Sequence, residues 1–267
     1  MMKPEVVSHG VKPTIDESVV AERFSAAAKT YHRHNCLQKL SCEALFSGMR
    51  PNGALLDIGA GPGTDFSQFT ELSSVIALDI AAGMLEQLNK NFPDYETVCA
   101  DAKTIPLPKS SIDSVYSNLA LQWCDDLAQS FHSTANVLRP AGEYHLAVVA
   151  QGSLAELTQL GFRANAFRAL SEISSQFDTQ EWQIKSSRLE SMTVYFDDLK
   201  ELLYSIKGVG ASIHADAKVS SQSKSMVNHG IRGRGDWMKL LEKAEKLRTP
   251  QGIPLTYQIA IIRAVKR

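Results

Sequence analysis

Three glycines and three acids are spaced so that they could hold one ligand. In "LLDIGAGPGT" (residues 55–64) an apolar run closes on Asp57 and is followed by Gly59, Gly61 and Gly63. Glycines at a strand-to-helix turn let backbone approach a ligand that a β-carbon would block. The first such turn of an open parallel sheet lies at its carboxyl edge, where binding crevices form. An acid beside that loop repels a pyrophosphate, so a cationic or amino-acid-like ligand suits Asp57 better. Asp79 closes the next strand-like run, where a carboxylate can accept both hydroxyls of a ribose. Asp101 follows the third run, in "CADAKTIPLP", positioned to accept from an exocyclic amine such as adenine N6. Singly, each acid reads equally well as a helix cap or loop carboxylate. Jointly with the glycines they form a constellation.

The elements that must position these residues alternate. Val20, Phe24, Ala27 and Tyr31 stand at helical spacing, and the span 16–49 predicts a long helical hairpin ended by Gly48 and Pro51. Strand-like runs follow at 54–58, 75–80, 96–100, 112–118 and 143–150, with helices expected from about Thr64, around 84–91 and over 126–138. This alternation predicts an α/β chain whose mostly parallel sheet carries helices on both faces. Beyond Ala150 the spacing of Ser153 and Glu156 suggests a capping box opening a helix to about Leu170. A strand at 191–196, helices over 197–208 and 236–247, and an apolar strand at 256–265 complete the pattern.

Composition narrows the functional class. The chain has 267 residues, 44% hydrophobic and 21% charged, enough for one large core with material left over. A formal net charge of −1 argues against a globally basic nucleic-acid binder and requires any charged partner to meet a local patch. Cys36, Cys42, Cys99 and Cys124 lack paired short spacings, so neither a zinc site nor a disulfide framework is expected. No run approaches membrane-spanning length and the start lacks a signal-like apolar core, so a cytoplasmic protein without membrane attachment is expected.

"LLDIGAGPGT", "VIALDIAAGML", "CADAKTIPLP" and "SIDSVYSNLALQW" resemble the successive motifs of class I S-adenosylmethionine-dependent methyltransferases over about residues 50–150. The resemblance implies a Rossmann-like, seven-stranded sheet with N-terminal helices and a helical insertion before the last strand. It implies that the glycine loop wraps the methionine part of the cofactor, that Asp79 holds the ribose, and that Asp101 with Ala102 holds adenine. Asp57, Gly59, Ala60, Gly61, Gly63, Ile80, Met84 and Asn118 complete the implied S-adenosylmethionine set, with S-adenosylhomocysteine as product.

A narrower resemblance covers nearly the whole chain. "FSAAAKTYHRHNCLQKL", "SNLALQWCDDL", "QGSLAEL", "LKELLYSIKGVGAS" and "TYQIAIIRAVKR" are similar to segments of the malonyl-acyl-carrier-protein O-methyltransferases of biotin synthesis. In that family a tyrosine matching Tyr31 closes over the cofactor; His32 stands where an acid is expected after it. The implied organisation is a tail and helical lid (1–49), a cofactor-binding core (50–199 with 254–267) and a docking insertion (200–253). The implied reaction is methylation of the free carboxylate of a malonyl thioester on acyl carrier protein, the ester that starts pimeloyl synthesis. A carboxylate with a pKa of roughly 4 is already ionised at neutral pH, so no catalytic base and no metal are assigned.

Gln122, Trp123, Lys207 and His229 are candidate anchors for the substrate. Trp123 reads equally as a core aromatic under the lid, and Lys207 and His229 as solvated surface groups. From Lys218 to Arg248 eight Lys or Arg face three acids, and Arg232 and Arg234 in "GIRGRGDW" are the expected contacts for an acidic carrier. A solvated helix face is the plainer alternative. Rival functions are a methyltransferase acting on a small free acid or a quinone-type ring, and a non-transferring cofactor-binding or hydroxylase relative. Reversing both Arg232 and Arg234 to Glu should raise the apparent KM for the carrier-linked substrate and spare cofactor binding; unchanged kinetics would remove them from the interface.

Overall fold

The structure, a computed structural model, describes residues 21–22, 24–25, 36–162, 166–208 and 234–267. The described elements run α1 (Cys36–Ser47), β1 (Gly53–Ile58), β2 (Leu72–Asp79), α2 (Ala82–Asn91), β3 (Glu96–Cys99), β4 (Ile112–Asn118), α3 (Leu127–Val137) and β5 (Leu138–Ala150). After these come α4 (Ala155–Gln159), α5 (Leu170–Ser174), β6 (Trp182–Phe196), α6 (Leu199–Gly208), α7 (Arg234–Glu245) and β7 (Ile253–Lys266). The expected long hairpin lies partly outside the described residues; α1 and the helical positions 21, 22, 24 and 25 are what is seen of it.

All seven strands join one sheet in the order β3-β2-β1-β4-β5-β7-β6. The pairings from β3 across to β5 are parallel, whereas β7 runs antiparallel to both β5 and β6. The strand order reverses between β1 and β4, which opens a crevice at their carboxyl ends.

Both faces of the sheet are covered, which is why the central strands β1 and β4 have no exposed residue. On β1, Leu55 belongs to one core while Leu56 and Ile58 belong to the other, as strand alternation requires. The first core holds α1 through Leu37 and Leu45, and takes Leu199, Leu202, Leu240 and Ala244 from α6 and α7. The described ends of the insertion therefore share a core with the sheet. The second core centres on Phe131, which stacks on Phe177 at 4.0 Å and meets Tyr144 edge-on at 6.0 Å.

Two expected helices differ. Residues 64–71 form successive turns, because side chains both near and far along the chain capture N–H groups a helix would need. Asp65 Oδ1 accepts from Ser67 N at 2.9 Å, and Phe66 N donates to Tyr95 Oη at 3.2 Å. The Ser153–Glu156 capping box does not form either. Ser153 Oγ accepts from Gln258 N at 2.8 Å and Glu156 Oε2 from Thr256 N at 3.1 Å, so both side chains tie α4 to β7. Gly161, with φ +90°, follows within two residues of the end of α4, well short of Leu170. β6 also begins nine residues earlier than its alternation suggests, at Trp182, because its first half is largely exposed and polar and carries no apolar period.

Phe131 is 1% exposed. Its replacement by Ala should lower the free energy of unfolding by about 3–5 kcal/mol without changing the dependence on denaturant, measured by urea titration.

Candidate functional site

The crevice at the β1–β4 switch is a cleft of about 790 Å³, open solvent included. Its floor comes from the ends of β1, β2 and β4, through Ile58, Leu78 and Asn118. Asp79 and Ile80 follow on one side, with Met84 from α2; Ala100, Asp101 and Ala102 follow β3. Leu119 to Leu121, Trp123 and Cys124 close the other side, and Phe24 covers them from the N-terminal segment.

The glycine loop shows why its residues must be small. Gly59 has φ +71°, and a β-carbon there would sit 2.1 Å from Ala120 Cβ. Gly61 has φ +56° and nothing within 4 Å of where its β-carbon would be. One glycine is thus packed against protein, and the other leaves its backbone facing open cleft.

Asp79 organises this edge. Its Oδ2 accepts from Gly61 N and its Oδ1 from Ala81 N, both at 2.8 Å. Burial raises its pKa, and those backbone N–H groups oppose the shift. Asp101 Oδ1 accepts from Lys103 N at 2.8 Å, and Lys103 Nζ reaches Asp125 at 2.9 Å. Asn118 Nδ2 donates to Gln38 O at 3.0 Å, while its Oδ1 is buried and accepts no hydrogen bond among the described residues.

Most of the expected cofactor residues converge here: Gly59, Gly61, Asp79, Ile80, Met84, Asp101, Ala102 and Asn118 all line the cleft. Asp57, Ala60 and Gly63 do not. Alternation on β1 turns Asp57 to the face of Leu55, where it is 2% exposed and opposite Tyr116 in register. Burial, with Asp79 nearby, pushes its carboxyl well above the usual range. Ala60 is buried, its N–H donating to Leu78 O at 3.1 Å. Gly63 lies beyond Pro62, on a wider groove bordered by α1, and Asn118 alone of the expected set touches both spaces.

Of the substrate candidates, Trp123 walls the cleft and Gln122 a smaller chamber beside it. Lys207 and Arg234 sit at the ends of α6 and α7 and are described by backbone alone. Tyr31, His229 and Arg232 lie outside the described residues.

Sequence reasoning missed Phe24, Leu119, Ala120, Leu121 and Cys124. The small side chain of Ala120 was its one available signal, since close approach to Gly59 demands it. Leu119 adopts φ +53°, a conformation that a leucine does not announce. Burial pushes the Cys124 thiol up to about 12, so it stays protonated and is no nucleophile at neutral pH. Among the described residues no helix is long and apolar enough to cross a membrane, and no group of three or more His, Cys, Asp or Glu could hold a metal ion.

Comparison with known proteins agrees with this geometry. A family described as "Methyltransferase domain" matches residues 56–146. A malonyl-[acyl-carrier protein] O-methyltransferase of Marinomonas sp. (strain MWYL1) is 30% identical over 259 residues, 92% of each chain. Another, of Pseudescherichia vulneris, is 34% identical over 209 residues, 75% of this chain and 83% of the relative. Among solved structures, a chain from the complex between the Haloferax volcanii Trm112 methyltransferase activator and a methyltransferase shares the fold. Its TM-score is 0.58 at 15% identity, with 92% of this chain and 96% of that chain covered. The cleft thus lies in a methyltransferase domain, and the chain belongs to the family of malonyl-[acyl-carrier protein] O-methyltransferases.

Proposed function

We propose that this protein transfers the methyl group of S-adenosylmethionine to the free carboxylate of a malonyl thioester carried on acyl carrier protein, giving the methyl ester that starts pimeloyl synthesis for biotin. The observation that carries the cofactor half is the ring of groups around one cleft: an open-faced Gly61, the Asp79 carboxylate, Asp101 after β3, and a buried acceptor on Asn118 with no partner among the described residues. Asn118 Oδ1 suits the ammonium of an amino-acid moiety, Asp79 the hydroxyls of a ribose, and Asp101 an adenine amine. Leu78, Met84 and Leu121 supply an apolar bed for the base.

The bound cofactor supplies a sulfonium methyl: the carboxylate oxygen forms the new C–O bond while the C–S electron pair stays on sulfur, leaving a neutral thioether. The chain's task is alignment and exclusion of water. Holding two reactants in line can remove about 7–11 kcal/mol of barrier. Phe24 meets Trp123 edge-on at 6.2 Å, and Ser25 Oγ accepts from Gly83 N at 3.3 Å. These contacts support a covering role for the N-terminal segment, where water would otherwise favour the separated charges. We assign residues 1–49 as lid, 50–199 with 254–267 as core, 200–253 as the carrier-docking insertion, and the cytoplasm as the site of action.

Intact-protein mass spectrometry of malonyl-acyl carrier protein, incubated with enzyme and S-adenosylmethionine, should show a gain of one methyl. Asp79→Ala should weaken cofactor binding roughly 10- to 100-fold, the worth of charged hydrogen bonds, and abolish the gain at limiting cofactor. No gain on the carrier with cofactor binding intact would refute the substrate assignment, and transfer to free malonate alone would favour the small-acid alternative.

Asp57 yields a pH dependence. Its folded pKa is raised, so its contribution to stability is fully present below the unfolded value of 3.8 and is lost as pH rises through the folded value. Its share of the stability of the unliganded protein should therefore fall above about pH 4, and Asp57→Asn should remove that share of the pH dependence and raise the thermal midpoint at neutral pH. A cationic ligand favours the ionised acid, so wild-type affinity for S-adenosylmethionine should rise with pH. Calorimetry across pH 5–8 should find that rise flattened in Asp57→Asn.

A further inference from the structure

A smaller chamber, about 430 Å³ with open solvent included, adjoins the cleft. The two share Phe24, Leu119 and Trp123 as a common wall. Val149 from β5, Leu154 before α4 and Tyr257 from β7 line its far side, so the surroundings are chiefly hydrocarbon and aromatic. Two amides, Gln38 and Gln122, break that character, and Gln122 is the one at the wall shared with the cleft. Its Nε2 donates to Leu119 O at 2.5 Å, and that carbonyl fixes the orientation of the amide, because reversing it would set two acceptors against each other. Its Oε1 is left buried and accepts no hydrogen bond among the described residues. A buried acceptor without a donor has lost its hydration with nothing in return, a cost that a ligand bearing an N–H would recover.

The polarity of this group decides what it can hold. An acceptor oxygen repels a carboxylate, so Gln122 in this orientation does not anchor the reacting end of the substrate. A thioester carried on a pantetheine-type arm offers the complement. Its sulfur and two methylenes are apolar and lead to an amide N–H. With the carboxylate turned into the cleft, that linker passes Trp123 and brings the amide to the chamber.

We propose that the chamber is the subsite for the thioester arm, and that Gln122 Oε1 accepts the first amide N–H beyond the sulfur. The assignment rests on the thioester reading above and adds to it the group that tells an arm-borne acid from a free one. Arms on a carrier protein and on coenzyme A share this amide, so the contact selects thioester over free acid and leaves the choice of carrier to the protein surface.

The test uses two small substrates and the full chain. One is the malonyl thioester of N-acetylcysteamine; the other replaces the amide nitrogen with a methylene and keeps the neighbouring carbonyl. Wild-type enzyme should favour the first by about tenfold in kcat/KM, the usual worth of one such hydrogen bond. Gln122→Leu should lose that preference, the ratio of the two kcat/KM values falling from about ten to about one. Gln122→Met serves as a second variant, and binding of S-adenosylhomocysteine verifies that each is folded. A preference that survives in both variants, or that wild type lacks, overturns the contact. Transfer to neither thioester would overturn the thioester reading itself, a result distinct from transfer to both without preference.

Discussion

The carboxylate of Asp79 is the constraint on which the site depends. One oxygen is held by Gly61 in the loop after β1 and the other by Ala81 ahead of α2, so a single buried acid ties two loops at the crevice. Burial alone would favour its neutral form; the backbone N–H groups are what make its charge tolerable. Because those donors belong to the loops themselves, the loop geometry and the ionised acid sustain each other. The open face of Gly61 and the placement of Met84 both follow from that fixed edge.

Asp57 shows the opposite economy. It lies one strand away, with burial first and then the neighbouring Asp79 carboxylate disfavouring its charge. An acid so placed is harder to ionise than one in water, and it lacks the backbone N–H groups that oppose the cost of burial at Asp79.

Much of this was legible in the sequence because strand ends announce themselves. The runs closing on Asp57, Asp79 and Asn118 end in the structure within a residue of where their apolar patterns stop. Acids and glycines at those ends fall at the crevice, since a parallel sheet puts all its carboxyl edges together. What escaped was set by tertiary competition. Ser153 and Glu156 carry a helix-cap spacing, yet β7 offers them N–H groups that bind both side chains. Thr64 to Leu72 reads as helix until Tyr95, distant in the chain, takes the N–H of Phe66. Asp57 was recognised as part of the motif, but alternation along β1 determines which face it serves. Leu119 carries no pattern at all, because its importance comes from what stands opposite it.

The position of β7 between β5 and β6 bears on how the molecule is made. Both neighbours precede it in the chain, and each finds its antiparallel partner only in residues 253–266. During synthesis β5 therefore waits with an open edge, and β6 has no sheet to join. The wall of the chamber beside the cleft inherits this delay, since Tyr257 arrives with the same strand. Completion of the sheet and closure of the chamber are one event, dependent on contacts between distant parts of the chain. Until β7 is in place, one edge of β5 has no partner strand, and an unpaired edge is where wrong strand pairing begins.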